Sequence, residues 1–408
     1  TGIEGTTGYG TQFDFTRHWQ GMLKADQSGL GIMVPVAAEI KKAVSIPVGA
    51  VTYMDPARDP EFFESLIASG ELDFILMNRP LSVDYDYLHK LEEGRIDEIR
   101  PCTRCMHCHW DAADDGNLTF SCRTNAAHPF RFVTGQLTGS YDPEPAATAK
   151  NVVVVGAGPA GLEAARVAAE RGHSVTLYEK KGSVGGLLEF ANNVKGPHEN
   201  LSVLRSYFER QMEVLGVNVM LNTEATADII AEASPDIVIA ATGGVRDTLG
   251  LSDTAGTKVV GIDDFMMADI AEEVVIVGSN VQAIDAAMYL LAQGKHVQVV
   301  TPNAASAIGA GHSFWVKTFT QPNMKALGVR FWPEATVTAV NDGSVTVKTA
   351  TGIEQEIACG TVVEALDCLP NDSLSTGLSC EVVTVGDAAR PFNIGEAICS
   401  GNAAARAI

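Results

Sequence analysis

Four of the eight cysteines in this chain of 408 residues fall within one 21-residue stretch, as Cys102, Cys105, Cys108 and Cys122, spaced C-x2-C-x2-C-x13-C. Thiols so close together are disulfide partners or metal ligands. A disulfide framework belongs to short exported chains, and this long chain opens on Thr1-Gly2-Ile3-Glu4-Gly5, too polar for a signal peptide. The stretch therefore reads as a metal site kept in a reducing compartment. Zinc usually pairs two C-x2-C hooks across a longer loop. Three cysteines at every third position with a distant fourth suit a 4Fe–4S cubane, with a zinc knuckle as the alternative. His107 and His109 lie among these thiols and read as neighbouring or surface side chains. Cys359, Cys368, Cys380 and Cys399 have no ligand spacing and read as small apolar residues.

A second chemical signature begins at Asn151. The run NVVVVGAGPAGLEAARVAAERGHSVTLYEKK reads as strand, glycine turn, amphipathic helix and second strand. Gly156, Gly158 and Gly161 form G-x-G-x-x-G: a tight turn, a close backbone approach to a pyrophosphate, and helix packed on strand. The helix start offers free N–H groups to phosphates. Glu179 stands 18 residues beyond Gly161, at a strand end, placed to accept a ribose hydroxyl. The rhythm repeats from Glu273 (EVVIVGSNVQAIDAAMYLLAQGKHVQVVT), with Gly278 matching Gly156. In this copy Asn280, Ala283 and Thr301 replace the second glycine, the third glycine and the ribose acid. Asn280 is an obstruction beside a pyrophosphate unless it takes a special conformation or bonds the ligand, so a structural domain with weakened or lost nucleotide binding is the alternative for this copy. Two further strand ends approach the same crevice: IVIAATGG (237–244) and VVTVGD (382–387). The latter delivers Asp387, for which a helix N-cap is the alternative role.

The elements that must carry these residues alternate strands and helices, an α/β pattern with parallel sheets. Helix-like stretches at 34–43 and 61–68 are followed by apolar runs at 45–51 and 72–77. Two such βα units cannot close a sheet alone, so something must cover them. Residues 140–149 (SYDPEPAATA) read as a linker, and one nucleotide unit is inserted within the other. With 29 basic against 50 acidic residues, the net charge of -21 repels phosphate backbones and anionic lipid. No apolar run reaches membrane-spanning length. Neither nucleic acid nor membrane is an expected partner.

Taken together, GRIDEIRPCTRCMHC (94–108), VVVVGAGPAGLEAA (152–165), GSVGGLL (182–188), AATGG (240–244) and VGDAARP (385–391) resemble the NADH:flavin oxidoreductases of the old yellow enzyme superfamily. The resemblance is to their iron–sulfur branch of 2,4-dienoyl-CoA reductases, 2-enoate reductases and trimethylamine dehydrogenase. It implies the C-terminal part of a (β/α)8 TIM barrel on the FMN side (1–100), then an iron–sulfur segment and linker (101–148). A Rossmann-like FAD/NAD(P) module follows: FAD-binding (149–270), an inserted NAD(P)-binding-like unit (271–371) and an FAD-binding return segment (372–408). By this resemblance Cys102, Cys105, Cys108 and Cys122 bind the 4Fe–4S cluster. Gly156, Gly158, Gly161, Glu179, Gly186, Leu187, Thr242, Gly243 and Asp387 surround FAD, and Gly278 serves the second nucleotide. Arg79, after Asn78 in MNRP, contacts the FMN phosphate.

The departures from the family pattern are informative. The chain opens (TGIEGT) where the family's sixth barrel strand ends. The remaining strands are thus expected from residues ahead of Thr1, which the missing initiator Met favours, or from a separate polypeptide. Thr52 and Asn78 replace glycines that approach the FMN phosphate, so FMN is expected to be held more weakly. Thr301 is not the usual acidic ribose acceptor and no arginine cluster follows it, leaving NADH against NADPH open. The activity implied is an ene-reductase: NAD(P)H to FAD to 4Fe–4S to FMN to the activated C=C bond of a small unsaturated substrate. The alternatives are a trimethylamine dehydrogenase-like enzyme passing electrons to an external flavoprotein, and a non-catalytic electron-transfer subunit of a barrel-bearing partner. A bacterial cytoplasmic homo-oligomer, or a complex completing the barrel, is expected. The residues that grip substrate lie outside the sequence, so no catalytic residue is assigned.

Overall fold

A computed structural model describes residues 30–408 apart from 32, 52, 106, 110, 113–117, 120, 129–130, 132–134, 136, 196–198, 200, 313, 372 and 375–376. The opening TGIEGT and Thr52 lie outside the described residues.

The N-terminal segment runs α1 (Val34–Ala43), β1 (Gly49–Ala50), α2 (Pro60–Ala68), β2 (Phe74–Ile75), α3 (Arg79–Val83) and α4 (Tyr87–Glu92). Asp59 starts α2 by accepting the Phe62 N–H at 3.0 Å, which satisfies a donor with no partner inside the helix. β1 and β2 pair in parallel, Gly49 opposite Phe74. Val34, Ala37, Val48, Phe63 and Leu72 bury together beneath them. The strands are shorter than the apolar runs that announced them, and among the described residues each has the other as its partner. Two paired strands do not close a barrel, and the expected barrel is not evident among the described residues. The cysteine-bearing segment follows, with a short antiparallel pair, β3 (Asp111–Ala112) and β4 (Leu118–Thr119).

A five-stranded parallel sheet comes next. It is assembled from β5 (Asn151–Val155), α5 (Pro159–Glu170), β6 (Ser174–Tyr178), α6 (Leu188–Lys195), α7 (Leu201–Val214), β7 (Asn218–Met220), α8 (Ala227–Glu232) and β8 (Ile237–Ala240). Val152, Val153 and Val154 are wholly buried, as expected of a central strand covered on both faces. The chain then leaves this sheet through β9 (Val245–Arg246) and builds a second one from β10 (Lys258–Gly261), β11 (Glu273–Val277), α9 (Val281–Ala292), β12 (His296–Val300), α10 (Phe314–Ala326) and β13 (Arg330–Trp332). An antiparallel sheet of β14 (Ala335–Asn341), β15 (Ser344–Thr349) and β16 (Glu354–Ala358) covers one face, and β17 (Thr361–Glu364) completes the second sheet. β18 (Cys368–Leu369) pairs antiparallel with β9, so outgoing and returning chain cross side by side. β19 (Glu381–Thr384) then pairs in parallel with β8, and α11 (Ile394–Ala407) packs on α5.

The strand orders are β19-β8-β5-β6-β7 and β10-β17-β11-β12-β13. The second sheet is thus inserted between two neighbouring strands of the first. Among the described residues, no helix is long and apolar enough to cross a membrane.

Candidate functional site

At the first glycine turn each glycine has its own reason. Gly156 holds φ +101°, and a Cβ there would collide with the Ala241 carbonyl. A Cβ on Gly161 would collide with the Gly156 carbonyl, so α5 sits directly on the turn. Gly158 differs: a Cβ would meet nothing within 4 Å, leaving open space at the start of α5. That is the side from which a pyrophosphate approaches helix N–H groups, and the residues fit a dinucleotide. Gly186 comes against Gly158, a Cβ there lying 3.0 Å from the Gly158 Cα. Leu187 turns instead to the apolar core of the second unit. Glu179 reaches back to the turn, accepting the Ala157 N–H at 2.8 Å and, through its other oxygen, the Lys181 N–H at 2.8 Å. It sits where the ribose acid was expected, with both oxygens engaged by backbone.

The strand ends opposite bring in Thr242, which donates to the Asn371 carbonyl at 3.4 Å, and Gly243 at φ +77°. Asp387 lies in a single 3-10 turn after β19 and accepts the Phe392 N–H at 3.4 Å. Burial raises its pKa, and this outweighs the Phe392 bond and the Arg246 charge. It does not cap α11; Asn393 does, accepting the Glu396 N–H at 2.9 Å. Cys368 departs from its apolar reading, for its sulfur accepts from Arg246 at 3.1 Å while Arg246 grips Asp263 with two nitrogens, at 2.9 and 2.7 Å.

The second glycine turn matches the first in backbone but not in space. Gly278 holds φ +138° against the Ala365 carbonyl. Asn280 takes no special conformation, with φ -70° and ψ -178°. Its side chain turns across the strand ends, donating to Ala365 O, Leu366 O and Asp367 Oδ1 and accepting the Ala283 N–H. Thr301 is wholly buried and donates to Ser279 Oγ at 3.0 Å.

Cys102 and Cys122 are buried against Val83, and Cys108 lies in electrostatic range of the other three. Burial pushes the Cys102 thiol up to about 11 and raises Cys108 and Cys122, while the Arg79 charge pulls Cys102 and Cys108 the other way. Among the described residues no three Cys, His, Asp or Glu side chains are arranged to hold a single metal ion. Cysteine sulfur is a soft donor of the kind iron–sulfur clusters take. His107 is buried in the turn among them. Asn78 starts α3 with its side-chain oxygen accepting from Ser82 Oγ at 3.2 Å, and Arg79 follows.

Sequence reasoning missed the charges around this segment. Arg104 holds φ +55° and stacks on the Tyr53 ring, 3.7 Å from its centroid, within electrostatic range of Arg79. Arg100 reaches Thr124 O at 2.5 Å and Glu163 on α5 at 3.2 Å. Burial alone would raise Glu163, but Arg100, Arg166 and the Asn402 amide hold it at about 2. Arg123 pairs with Glu199; Lys195 joins Glu199 at 3.2 Å and Asp285 at 2.8 Å; His312 meets Asp285 at 3.2 Å. This buried ladder runs from the cysteine segment through α6 to α9 of the second unit. Arg100 and Arg123 flank the cysteines in sequence, a legible signal; their partners lie too far along the chain to be guessed.

Known proteins match this arrangement. The model of the pyridine nucleotide-disulphide oxidoreductase family matches residues 150–387. An NADH oxidase of Thermoanaerobacter brockii is 36% identical, over 68% of this chain and 42% of its own length. A cinnamate reductase of Clostridium sporogenes is 34% identical, over 66% of this chain and 39% of its own. Among solved structures, a 2-naphthoyl-CoA reductase superposes with a TM-score of 0.80 at 30% identity, covering 93% of this chain and 57% of that one. The chain spans about two fifths of the length of these two curated relatives. The family implies FAD and NAD(P)H, and the open space at Gly158 fits the first of these. The chain belongs to the pyridine nucleotide-disulphide oxidoreductase family, among relatives of the old yellow enzyme and trimethylamine dehydrogenase type.

Proposed function

We propose that this chain is part of a flavin and iron–sulfur oxidoreductase of the ene-reductase type, acting on the activated C=C bond of an enoate- or dienoyl-like substrate. In this reading Gly156, Gly158, Gly161, Glu179, Gly186, Thr242, Gly243 and Asp387 surround FAD. Cys102, Cys105, Cys108 and Cys122 hold a 4Fe–4S cluster, and Gly278 opens the NAD(P)H side. Asn78 and Arg79, joined by Arg104, face the FMN phosphate. When bound, flavins exchange electrons singly or in pairs and a cluster exchanges them singly, which links a pyridine nucleotide to a substrate two-electron reduction.

The residues of this chain do the positioning. Arg100 anchors the segment leading into Cys102 on α5, the helix whose start faces the first nucleotide. That single contact carries the proposal, since it fixes the thiols against the FAD-binding unit. The exposed apolar Ile46, Phe74 and Leu76 suit a surface covered by further barrel strands, from the same polypeptide or another.

The test is a cofactor inventory of the purified full-length protein, followed by anaerobic NADH titration. The expected result is FAD, FMN and four iron with four sulfide per chain, with NADH bleaching the flavin. A single zinc, or no flavin, overturns the proposal. The Asn280 side chain across the second crevice favours one rival, an amine dehydrogenase that gives electrons to an external flavoprotein. That enzyme's flavin would stay oxidised with NADH and bleach with an alkylamine.

A further inference from the structure

We propose that Asn280 sets the affinity of the second unit for a pyridine dinucleotide, by strapping the crevice that its glycine turn would otherwise leave open. Asn280 (φ -70°, ψ -178°) and Gly158 (φ -76°, ψ 179°) have the same backbone. Glycine is therefore not required for the conformation, and the two turns differ by a side chain. Beside Gly158 the space is open. Beside Asn280 the amide fills it, with Nδ2 3.1 Å from Ala365 O, 3.2 Å from Leu366 O and 3.0 Å from Asp367 Oδ1.

The position of these partners gives the strap its effect. Ala365, Leu366 and Asp367 follow β17, the strand paired with β11, so the side chain joins the carboxyl ends of adjacent parallel strands. Dinucleotides cross open α/β sheets at that place. Asn280 Oδ1 also accepts the Ala283 N–H at 2.9 Å, one of the orphan donors at the start of α9 that a pyrophosphate would use. On the other side of the turn, the Gly309 N–H donates to Ser279 O at 2.7 Å, and Asn280 bridges to Ala310. The Asp367 carboxylate adds a negative charge where a diphosphate would lie. A dinucleotide must therefore displace bonds the protein already makes, which lowers its affinity without abolishing the fold of the site.

The inference rests on the family assignment and not on the cysteine chemistry proposed above, so either can fail alone. The test is calorimetric titration of the full-length protein with NADH and, separately, with ADP. Asn280→Gly removes the strap at small cost to the helix, since glycine is also a tolerated N-cap. Both probes should bind about tenfold tighter, the effect of one or two net hydrogen bonds no longer broken. Asp367→Ala, which removes one anchor and its charge, should tighten both probes in the same direction and carries the test if the first variant folds poorly. Unchanged or weaker binding in these variants, including no measurable binding by any of the proteins, overturns the inference. So does tightening of NADH without ADP, because the strap acts on the diphosphate that the two share.

Discussion

Glu163 has no exposed atom, yet it carries the charge that balances Arg100 and Arg166 and accepts the Asn402 amide at 2.8 Å. Its carboxyl, ordinarily 4.5, is held at about 2 in the folded chain. A depressed pKa contributes stability that is complete above the unfolded value and is lost as pH falls. The first unit should therefore weaken between about pH 4.5 and 2, by roughly 3 kcal/mol from this group, measurable as a falling urea midpoint. Glu163→Gln should cost about 3–5 kcal/mol at neutral pH, because two buried guanidiniums lose the carboxylate they share, Arg166 keeping only Glu170. An unchanged urea midpoint in that variant would show that the pair contributes nothing. If the proposed cluster is held by these thiols, Cys122→Ser should lower the iron content of the purified protein while leaving FAD content unchanged, since none of the glycine-turn residues is touched.

Helix and strand contacts explain why small residues recur where they do. Gly401 on α11 faces α5 so closely that a Cβ would collide with the Ala160 carbonyl, just after the first glycine turn. Packing of these two helices therefore helps hold the floor of the nucleotide crevice. Gly401→Val should destabilise the unit by at least about 1–3 kcal/mol, the usual cost of overpacking, and should weaken FAD retention. Retention is read as the fraction of flavin released on dilution; a variant that keeps both stability and flavin would refute the close approach. In the second copy of the turn the corresponding residue is Ala283, wholly buried on α9.

Across the whole molecule, the two nucleotide units and the cysteine segment are joined by buried charge as well as by chain. Lys195 is central, for it is 2% exposed and bonds acids from its own flank and from α9. Lys195→Met leaves Glu199 and Asp285 with one fewer cation and should cost about 3–5 kcal/mol. Adding Asp285→Leu should recover part of that loss, giving a coupling above about 1 kcal/mol in a double-mutant cycle followed by chemical denaturation. Additive effects would mean that the units are held by apolar packing alone.

Much of this architecture is legible in order along the chain. The runs at 151–178 and 273–300 announce parallel strands with glycine turns because buried valines, turn glycines and helix-period apolar residues are local patterns. The helix at 34–43 and the close cysteine spacing are legible for the same reason. Pairings between distant positions are not: nothing near Arg100 names Glu163, and nothing near Lys195 names Asp285. The sequence likewise marks Asn280 as an exception but leaves its direction open. Only the folded chain brings Ala365 and Asp367 beside it, because strand order, and not sequence distance, decides which loop ends share a crevice. Local chemistry thus determined which residues are candidates for a nucleotide and a metal. Tertiary packing decided which of them are open, which are tied by backbone, and which charges join one unit to the next.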